Sequence, residues 1–438
     1  MVLLSTFVAV CGSFEFGSCV GFTAPTQNGI KDDLGLTLSQ YSLFGSIISI
    51  GAMIGAISSG WIADFLGRKA TMRMSSVLCI AGWLAIYFSK GYVILDLGRF
   101  CNGYGIGVFS YVVPVFIAEI APKDLRGGLA TANQLMIVTG VSVAFVMGTI
   151  LNWRTLALTG IIPCIVLLLG LFFIPESPRW LAMVGHQKNF EAALQRLRGK
   201  DADISKEAYD IQHSIETLQH LPEAKMLDLF QRSYLRSVIV GVGLMMFQQF
   251  GGINGIGFYL TKIFASAGFP SNVGIVLYAC LQVPVTALGA ILIDKAGRRP
   301  LLLISASGLF IGSTLTGISF YMKVHELSPQ WVPLLVLTGV MAYGGSFSIG
   351  MGGVPWVIMS EIFPINVKGT AGSLITLVNW FGCFVGSYTF NYLMNWSSYG
   401  TFFFYSVVCA LAVLFVAKVV PETKGKTLEE IQASMNTS

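Results

Sequence analysis

Twelve long apolar stretches dominate this chain, and each approaches the roughly 20 residues that an α-helix needs to cross a bilayer. They lie near residues 5–27, 41–63, 70–89, 92–118, 129–150, 155–174, 236–264, 273–293, 300–321, 331–359, 370–393 and 400–420. Inside lipid every backbone polar group needs a partner within the protein, which leaves helices or closed barrels. Apolar runs of this length predict an all-α integral membrane protein with twelve transmembrane helices.

The composition excludes an ordinary soluble protein. Charged residues make up 11% of the chain and the mean hydropathy is +0.71, whereas a soluble domain has about 25% charged residues. All eight cysteines fall inside apolar stretches without a CxxC pair, so we expect small buried hydrophobes rather than disulfides or metal ligands. The sequence offers no nucleophile–base pair for an enzyme, and we expect no metal or cofactor.

Three short signatures occur twice, in the same order, a little more than half the chain apart. They are DFLGRK at 64–69 and DKAGRR at 294–299, EIAP at 119–122 and EIFP at 361–364, and PES at 175–177 and PET at 421–423. A fixed offset of this kind indicates a duplicated unit. We therefore predict two pseudo-symmetric six-helix halves, residues 1–174 and 235–420, the arrangement of many secondary transporters.

Lysine and arginine concentrate in alternate connections between the apolar stretches, including the polar segment 175–234. The positive-inside rule then places both termini, this linker and the tail 421–438 in the cytosol. The basic balance thus reports topology and gives no reason to expect nucleic acid. Within the linker, Phe190, Leu194 and Leu197 recur at helical spacing, and Ile204, Ile211, Ile215 and Leu218 form a second stripe, so short amphipathic helices are expected.

Side-chain amides and tryptophans stand where apolar residues would be less costly in lipid. The set is Gln134, Gln248, Gln249, Asn254, Gln282, Trp356, Asn379 and Trp380. An amide both donates and accepts hydrogen bonds, and an indole offers a flat apolar face, a combination that suits an uncharged sugar. The alternative is hydrogen bonding between helices, worth about 0.6 kcal/mol for each amide.

Two helices invite an irregular backbone. Gln249 and Asn254 are about 140° apart on a regular helix, so a shared site requires either a wide cavity or a distorted seventh helix. The glycine-rich stretch Gly350–Pro355 predicts either a broken tenth helix or plain close packing of helices.

Charged residues recur at the cytosolic ends of helices in both halves. They are Asp64, Arg68, Glu119 and Arg126 in the first half, and Asp294, Arg298, Glu361 and Lys368 in the second. Opposite charges in this pattern predict ion pairs that hold the cytosolic side closed and break when it opens. Simple anchoring at the membrane interface is the alternative. Two further charges, Glu15 and Arg99, fall within apolar stretches.

Across its whole length the chain resembles the sugar porter family of the major facilitator superfamily. The family's motifs appear as Gly67-Arg68-Lys69, Arg99-Phe100, Arg126-Gly127, Pro175–Arg179, Gln248-Gln249 with Asn254, Gly297-Arg298-Arg299 and Pro421-Glu422-Thr423. The sequence around Glu15 is most similar to the plant dehydration-responsive, ERD6-like monosaccharide transporters. The resemblance implies the major facilitator fold, a monosaccharide such as glucose or fructose as substrate, sugar contacts at the eight amide and tryptophan positions, and an inner gate at the eight charged positions.

Several positions depart from the family pattern. Ser348 replaces a glutamate of the glucose transporters, Cys383 replaces an asparagine near the sugar, and Cys19 replaces the aspartate of proton-coupled relatives. Loss of that aspartate favours facilitated diffusion. Glu15, four residues earlier on the same helical face, with Arg99 as partner, supports proton coupling instead. Both remain open here, as do a vacuolar or plasma membrane location and a transporter-like sugar sensor, although sensors usually carry a longer tail.

Overall fold

The computed structural model describes residues 1–122, 125–219, 226–426 and 430–431, without the side chains of Arg126, Leu218, Gln219 and Ile365. All regular secondary structure in these residues is helical. Twelve helical stretches there are long and apolar enough to span a membrane, which confirms the predicted number. The length of the apolar stretches was therefore sufficient to predict the fold class.

The first half of the sequence supplies six spans. Its helices are α1 (Val2–Gly21), α2 (Thr23–Leu34), α3 (Leu38–Leu66), α4 (Arg68–Phe88), α5 (Tyr92–Ile120), α6 (Arg126–Gly148), α7 (Trp153–Thr159) and α8 (Ile161–Gly170), with α7 and α8 forming one span. The first span ends at Gly21 and not near residue 27 as expected, because the next helix, α2, is rich in polar residues.

The described part of the linker contains three short α-helices, α9 (Pro178–Met183), α10 (Gln187–Arg198) and α11 (Ser205–Gln219), and a 3-10 helix at Met226–Phe230. Phe190 and Leu194 are buried in a small core with Leu181, and Ile204 and Ile211 pack against it. Side chains of the two apolar stripes thus pack on one another, a contact that the sequence did not predict, and the side chain of Leu218 lies outside the described residues. Arg198 joins α10 to α11 through a 2.7 Å ion pair with Glu207.

The second half supplies the other six spans. Its helices are α12 (Arg232–Phe250), α13 (Ile253–Phe258), α14 (Leu260–Ala267), α15 (Ser271–Ala296), α16 (Arg298–Val324), α17 (Val332–Ser346), α18 (Val354–Ile362), α19 (Ile365–Trp396) and α20 (Ser398–Lys418). Two of these spans are interrupted. One breaks at Gly251 and Gly252 between α12 and α13, and the other passes through a π-helical turn, Phe347–Met351, between α17 and α18.

By its contacts the chain divides into two compact units. The first comprises Met1–Val20, Ile47–Val141 and Arg154–Glu223, and the second comprises Gly21–Ser46, Ser142–Trp153 and Ala224–Ser438. The second unit therefore combines segments from both sequence halves. Within it, Asn391 Nδ2 donates to Ser42 Oγ at 3.0 Å and Thr261 Oγ1 donates to the Ala24 carbonyl at 2.6 Å.

Candidate functional site

Four of the predicted amides are close neighbours in the second unit. Gln249 Nε2 donates to Asn379 Oδ1 at 2.7 Å and to Gln248 Oε1 at 3.1 Å, and its Oε1 accepts a hydrogen bond from Asn254. Gln248 Nε2 donates in turn to the Met351 carbonyl at 2.5 Å. Gln249 is thus the centre of an uncharged network that links α12, α13 and α19 with the π-helical turn.

The break in the seventh span explains how Gln249 reaches Asn254. Gly252 has φ +101°, a left-handed conformation that favours glycine, and a Cβ there would lie 2.6 Å from the ring of Tyr405. Tyr343 Oη donates to the Gly251 carbonyl at 2.9 Å, a carbonyl at the break. Of the two alternatives that the sequence left open for this span, the distorted helix is the one found.

The tenth span is broken as well. Ser305 Oγ donates to the Ser346 carbonyl at 2.5 Å and accepts from the Met351 backbone N–H at 2.8 Å, which fixes both ends of the π-helical turn. The wide turn leaves the Met351 carbonyl available to Gln248. The glycine-rich sequence therefore marks a helix break, one of the two outcomes expected for it.

The remaining predicted sugar contacts lie on separate helices. Trp356 is half-buried on α18, Trp380 is buried on α19 beside Asn379, and Gln282 is buried on α15, all in the second unit. Gln134 is half-buried on α6 in the first unit.

A compact charged cluster forms in the first unit where α3 meets α4. Arg68 pairs with Asp64 at 2.9 Å and with Glu119 at 2.8 Å, and a second Arg68 nitrogen, Nε, donates to Glu119 at 2.9 Å. The bidentate geometry makes this a strong pair. Ser177 Oγ adds a 2.6 Å hydrogen bond to the same carboxylate.

The second unit repeats the cluster. Arg298 pairs with Glu361 at 2.8 Å and with Asp294 at 3.7 Å, and Thr423 Oγ1 donates to Glu361 at 2.6 Å. Each member matches its counterpart from the duplicated motifs. The structure therefore brings together six of the eight charged residues that the sequence singled out, as two sets of three.

Lys368 lines the same cavity as Arg298, Glu361 and Thr423, but it takes no part in the ion pairs of that cluster. Lys368 Nζ donates to the Ser360 carbonyl at 2.8 Å, whereas the carboxylate of its predicted partner, Glu361, bonds to Arg298 and Thr423. The side chain of Arg126 lies outside the described residues.

Two glutamates cap the helices that begin at these clusters. Glu176 accepts from the Lys69 backbone N–H at 3.1 Å, and Glu422 accepts from the Arg298 and Arg299 backbone N–H groups at 3.1 Å each. A carboxylate at a helix N-terminus satisfies free donors and complements the dipole. The glycines before each helix, Gly67 with φ +89° and Gly297 with φ +93°, allow the approach, because an added Cβ would lie 3.0 and 2.8 Å from the carboxylate oxygens.

The two capping glutamates titrate differently. Burial raises the pKa of Glu176 above its ordinary value, despite the N–H donors of Ser177 and Lys69. Burial alone would also raise the pKa of Glu422, but the backbone N–H donors of Lys424, Arg298 and Arg299 outweigh it and lower that pKa.

Glu15 is fully buried in the first unit. Its Oε1 accepts from Trp83 Nε1 at 2.6 Å and from the Cys19 thiol at 3.2 Å. Arg99 is equally buried and donates to the Cys19 carbonyl at 2.7 Å. Glu15 and Cys19 therefore share a helix face, as predicted. Cys19 links the two charged residues, because its thiol donates to Glu15 and its carbonyl accepts from Arg99.

Thiols surround this carboxylate. Ligand atoms of Glu15, Cys79 and Cys164 lie within 4.8 Å of one another, a proximity that no sequence spacing signals. Six of the eight cysteines are buried as expected, Cys101 is half-buried, and Cys280 is exposed. The exposed position on α15 lies on a membrane-spanning helix, where exposure to lipid suits a thiol as well as burial does.

The residues that complete the clusters lie in the repeated motifs, but the sequence alone predicted no role for them. Ser177, Thr423 and the two capping glutamates all belong to the repeated PES and PET motifs. These motifs recur in the same order as the charged motifs of each half, and this repetition could have indicated a role in the clusters. Trp83 carried no such signal, because a tryptophan in an apolar stretch usually packs in the core.

The fold has twelve spans, and ion-pair clusters at its helix ends are duplicated. Together with the uncharged amide network beside two helix breaks, these features are those of a secondary transporter of the major facilitator class. The family model described as sugar (and other) transporter matches residues 5–435. This chain belongs to that family of sugar transporters.

The similar proteins agree with this assignment. Sugar transporter ERD6-like 7 of Arabidopsis thaliana is 64% identical over 436 residues, covering 100% of this chain and 94% of the relative. Sugar transporter ERD6-like 16 from the same plant is 65% identical over 434 residues, covering 99% and 90%. The resemblance to the ERD6-like group is therefore confirmed.

Solved structures of the xylose transporter XylE from E. coli share the fold. Its inward open conformation has a TM-score of 0.84 at 26% identity, covering 99% of this chain and 100% of that chain. The proton:xylose symporter XylE bound to 6-bromo-6-deoxy-D-glucose has a TM-score of 0.79 at 26% identity, covering 99% of both chains. The predicted major facilitator fold is confirmed.

Proposed function

We propose that this chain carries a monosaccharide, a hexose such as glucose or fructose, across a membrane by alternating access. The amide network around Gln249 is the observation that carries the proposal. Its hydrogen bonds run among neutral groups, and an amide can exchange a protein partner for a sugar hydroxyl in either direction, as donor or acceptor. A sugar is uncharged, and its hydroxyl groups both donate and accept hydrogen bonds.

Tryptophans supply the other half of sugar recognition. Trp356 lies on α18, the helix that follows the π-helical turn, and Trp380 lies on α19 next to Asn379. An indole face pairs with the apolar face of a sugar ring, while the amides bond its edge. We assign Gln134, Gln248, Gln249, Asn254, Gln282, Trp356, Asn379 and Trp380 as sugar contacts.

The two charged clusters suit the role of an inner gate. Each holds several helix ends together through one arginine, so breaking its ion pairs would release those ends at once. We assign Asp64, Arg68, Glu119, Arg126, Asp294, Arg298, Glu361 and Lys368 to this gate. The distribution of lysine and arginine supports a cytosolic position for the gate and for both termini. A vacuolar or a plasma membrane would give the same orientation.

We further propose that transport is proton-coupled through Glu15 and Arg99. Buried ionisable residues in membrane helices mark ion or proton pathways, and both residues are fully buried. The neighbour XylE is described as a proton:xylose symporter. Here Glu15 would take the place of the aspartate that Cys19 replaces, and movement of the Cys19 segment would alter the surroundings of both charges.

Uptake of labelled sugars by purified protein in proteoliposomes tests the proposed transport. Glucose, fructose and xylose form the panel, with an amino acid and an inorganic ion as controls. Saturable uptake of at least one sugar supports the proposal. Binding of a sugar without net flux would instead identify a sensor, for which the comparisons with known proteins give no support.

Glu15→Gln tests the proton coupling, because glutamine keeps the size and hydrogen-bonding capacity of the side chain without its titratable proton. With an imposed proton gradient, we expect the variant to lose accumulation of sugar above the outside concentration. Exchange of labelled for unlabelled sugar should continue, since exchange needs no net proton movement. Accumulation equal to that of the wild type would exclude Glu15 as the coupling acid.

A further inference from the structure

A cavity of about 300 Å³ opens in the second unit at the end of α16 opposite Arg298. Its walls come from α14, the last turns of α16 and α19, and the first turn of α20. The polar lining residues are Lys262, Ser266, Lys323, Asn395 and Ser398, and the apolar ones are Phe320, Val324 and Met394. The amide network and the charged clusters contribute none of these residues.

Two lysines give this cavity a positive charge. Lys262 Nζ donates to Asn391 Oδ1 at 2.9 Å, and Lys323 Nζ donates to the Ser266 carbonyl. Each ammonium group has three donors, so each has further capacity beyond its one bond to a neutral group. The described residues that line the cavity include no carboxylate. Two cations thus face the same small space without an acidic lining residue.

A third cation, Lys31 on α2, adds to this field. Burial and the charge of Lys31 lower the pKa of Lys262 below its ordinary value. Like charges gathered in a partly buried site repel one another, and a bound anion would relieve that repulsion.

The surroundings of the cavity are those of a membrane interface. Trp396, at the end of α19, is exposed beside it, and tryptophans concentrate at the level of lipid headgroups. Val324, which lines the cavity, is exposed on α16, as are Ile318 and Ile311 further along the same helix, and Phe404 is exposed on α20. Such apolar faces are suited to acyl chains. A free anion would make no use of them.

We propose that this cavity binds the phosphate group of an anionic phospholipid whose acyl chains lie along α16 and α20. Lys262 and Lys323 would hold the phosphate, while Asn395 and Ser398 would bond the polar part of the headgroup. The site is separate from the sugar contacts and does not depend on which solute the protein carries.

Binding of short-chain phosphatidic acid to the purified full-length protein in detergent tests the proposal, with native mass spectrometry as the readout. One lysine near an anionic headgroup contributes about fivefold in affinity. We therefore expect the double variant Lys262→Gln, Lys323→Gln to bind about 25-fold more weakly. Lys90→Gln, at an exposed lysine between α4 and α5, should bind as the wild type does.

The variant Lys262→Arg, Lys323→Arg keeps both charges and should retain most of the affinity, which separates loss of charge from loss of fold. Equal affinity of the glutamine variant and the wild type would overturn the proposal. Inorganic phosphate serves as the second probe. If it displaces the short-chain lipid at equal concentration, the acyl chains contribute nothing and the assignment to a lipid is wrong.

Discussion

Gln249 is the residue on which the proposed sugar site most depends. It bonds to two other amides with its Nε2 and to a third with its Oε1, so its side chain orients three neighbours at once. The close approach of α19 depends on Gly382, where an added Cβ would lie 2.7 Å from Gln249 Cβ. One side chain thus determines the geometry of the whole uncharged network.

Gln249→Ala should reduce sugar affinity more than truncation of any peripheral amide. The change removes a direct contact with the sugar and leaves the Asn254 and Asn379 amides without the partner that orients them. A tenfold or greater loss of affinity, about 1.4 kcal/mol, is the expected result by equilibrium sugar binding. Gln40→Ala, at an amide whose Oε1 accepts from Thr37 near the start of α3, is the matched control. Unchanged binding in Gln249→Ala would contradict the site.

The capping glutamates predict opposite effects of pH on stability. The pKa of Glu176 is raised in the folded protein. Its contribution to the free energy of unfolding is therefore fully present below the ordinary glutamate pKa of about 4.3 and is lost as the pH rises through the folded pKa. The lowered pKa of Glu422 gives a contribution that is present above that value and is lost as pH falls through the folded pKa.

Unfolding temperatures of the two glutamine variants between about pH 3 and pH 7 measure this difference. Relative to Glu176→Gln, the wild type should gain stability as the pH falls. Relative to Glu422→Gln, it should lose stability over the same change. Slopes of the same sign for both variants would show that the two caps do not differ as described.

At the scale of helices, the duplicated motifs build two clusters that share a plan but differ in burial. Arg68 is 4% exposed and its partner Glu119 is 9% exposed, whereas Arg298 is 14% and Glu361 27% exposed. Solvent screens the second pair more strongly. Loss of the first arginine would leave a buried carboxylate without its cation, which is the costlier outcome.

Arg68→Gln should therefore destabilise the protein more than Arg298→Gln. Breaking a buried pair costs about 3–5 kcal/mol, and we expect Arg68→Gln to lie near the lower limit, with Arg298→Gln well below it. Thermal unfolding in detergent compares the two directly. Arg232→Gln, at an exposed arginine, corrects for loss of a positive charge. An equal fall for both gate variants would mean that burial does not distinguish the clusters.

The sequence predicted the helices and clusters better than their details. The number of spans followed from apolar length, and the repeated motifs already placed Asp64 beside Arg68 and Asp294 beside Arg298. The pairs of the two arginines with Glu119 and Glu361 were not predicted, because they depend on how helices distant in sequence pack. The bond from Lys368 to the Ser360 carbonyl was not predicted, because charge in the sequence points to the Glu361 carboxylate and carries no information about main-chain acceptors. The closeness of Cys79 and Cys164 to Glu15 depends on how three helices pack, and packing leaves no periodicity in a uniformly apolar sequence.

At the scale of the whole molecule, the composition of the second unit bears on transport. It includes residues 21–46 and 142–153 together with the second sequence half, and hydrogen bonds such as that between Ser42 and Asn391 join them. If the six-helix halves 1–174 and 235–420 move during transport, as we propose, these bonds must break in each cycle.

A disulfide across this contact tests that requirement. In Ser42→Cys, Asn391→Cys, oxidation should stop sugar uptake by proteoliposomes, and a reductant should restore it. The control is Thr314→Cys, Ser406→Cys, which replaces hydroxyls 2.6 Å apart on α16 and α20, two helices of the same half. Its oxidation should leave uptake unchanged. Full uptake by the oxidised first pair, with the cross-link verified by mass spectrometry, would show that this contact need not open.

The π-helical turn Phe347–Met351 has a mechanical consequence for a transporter. A wide turn holds one residue more than a regular turn needs, and here Gln248 ties its terminal carbonyl. A solute that bonded to the Gln248 amide would break its hydrogen bond to the Met351 carbonyl. The extra residue of the π-helical turn could then move along the helix. Binding of the solute would then change the helical geometry at the start of α18, and this change would precede any opening of the ion-pair clusters.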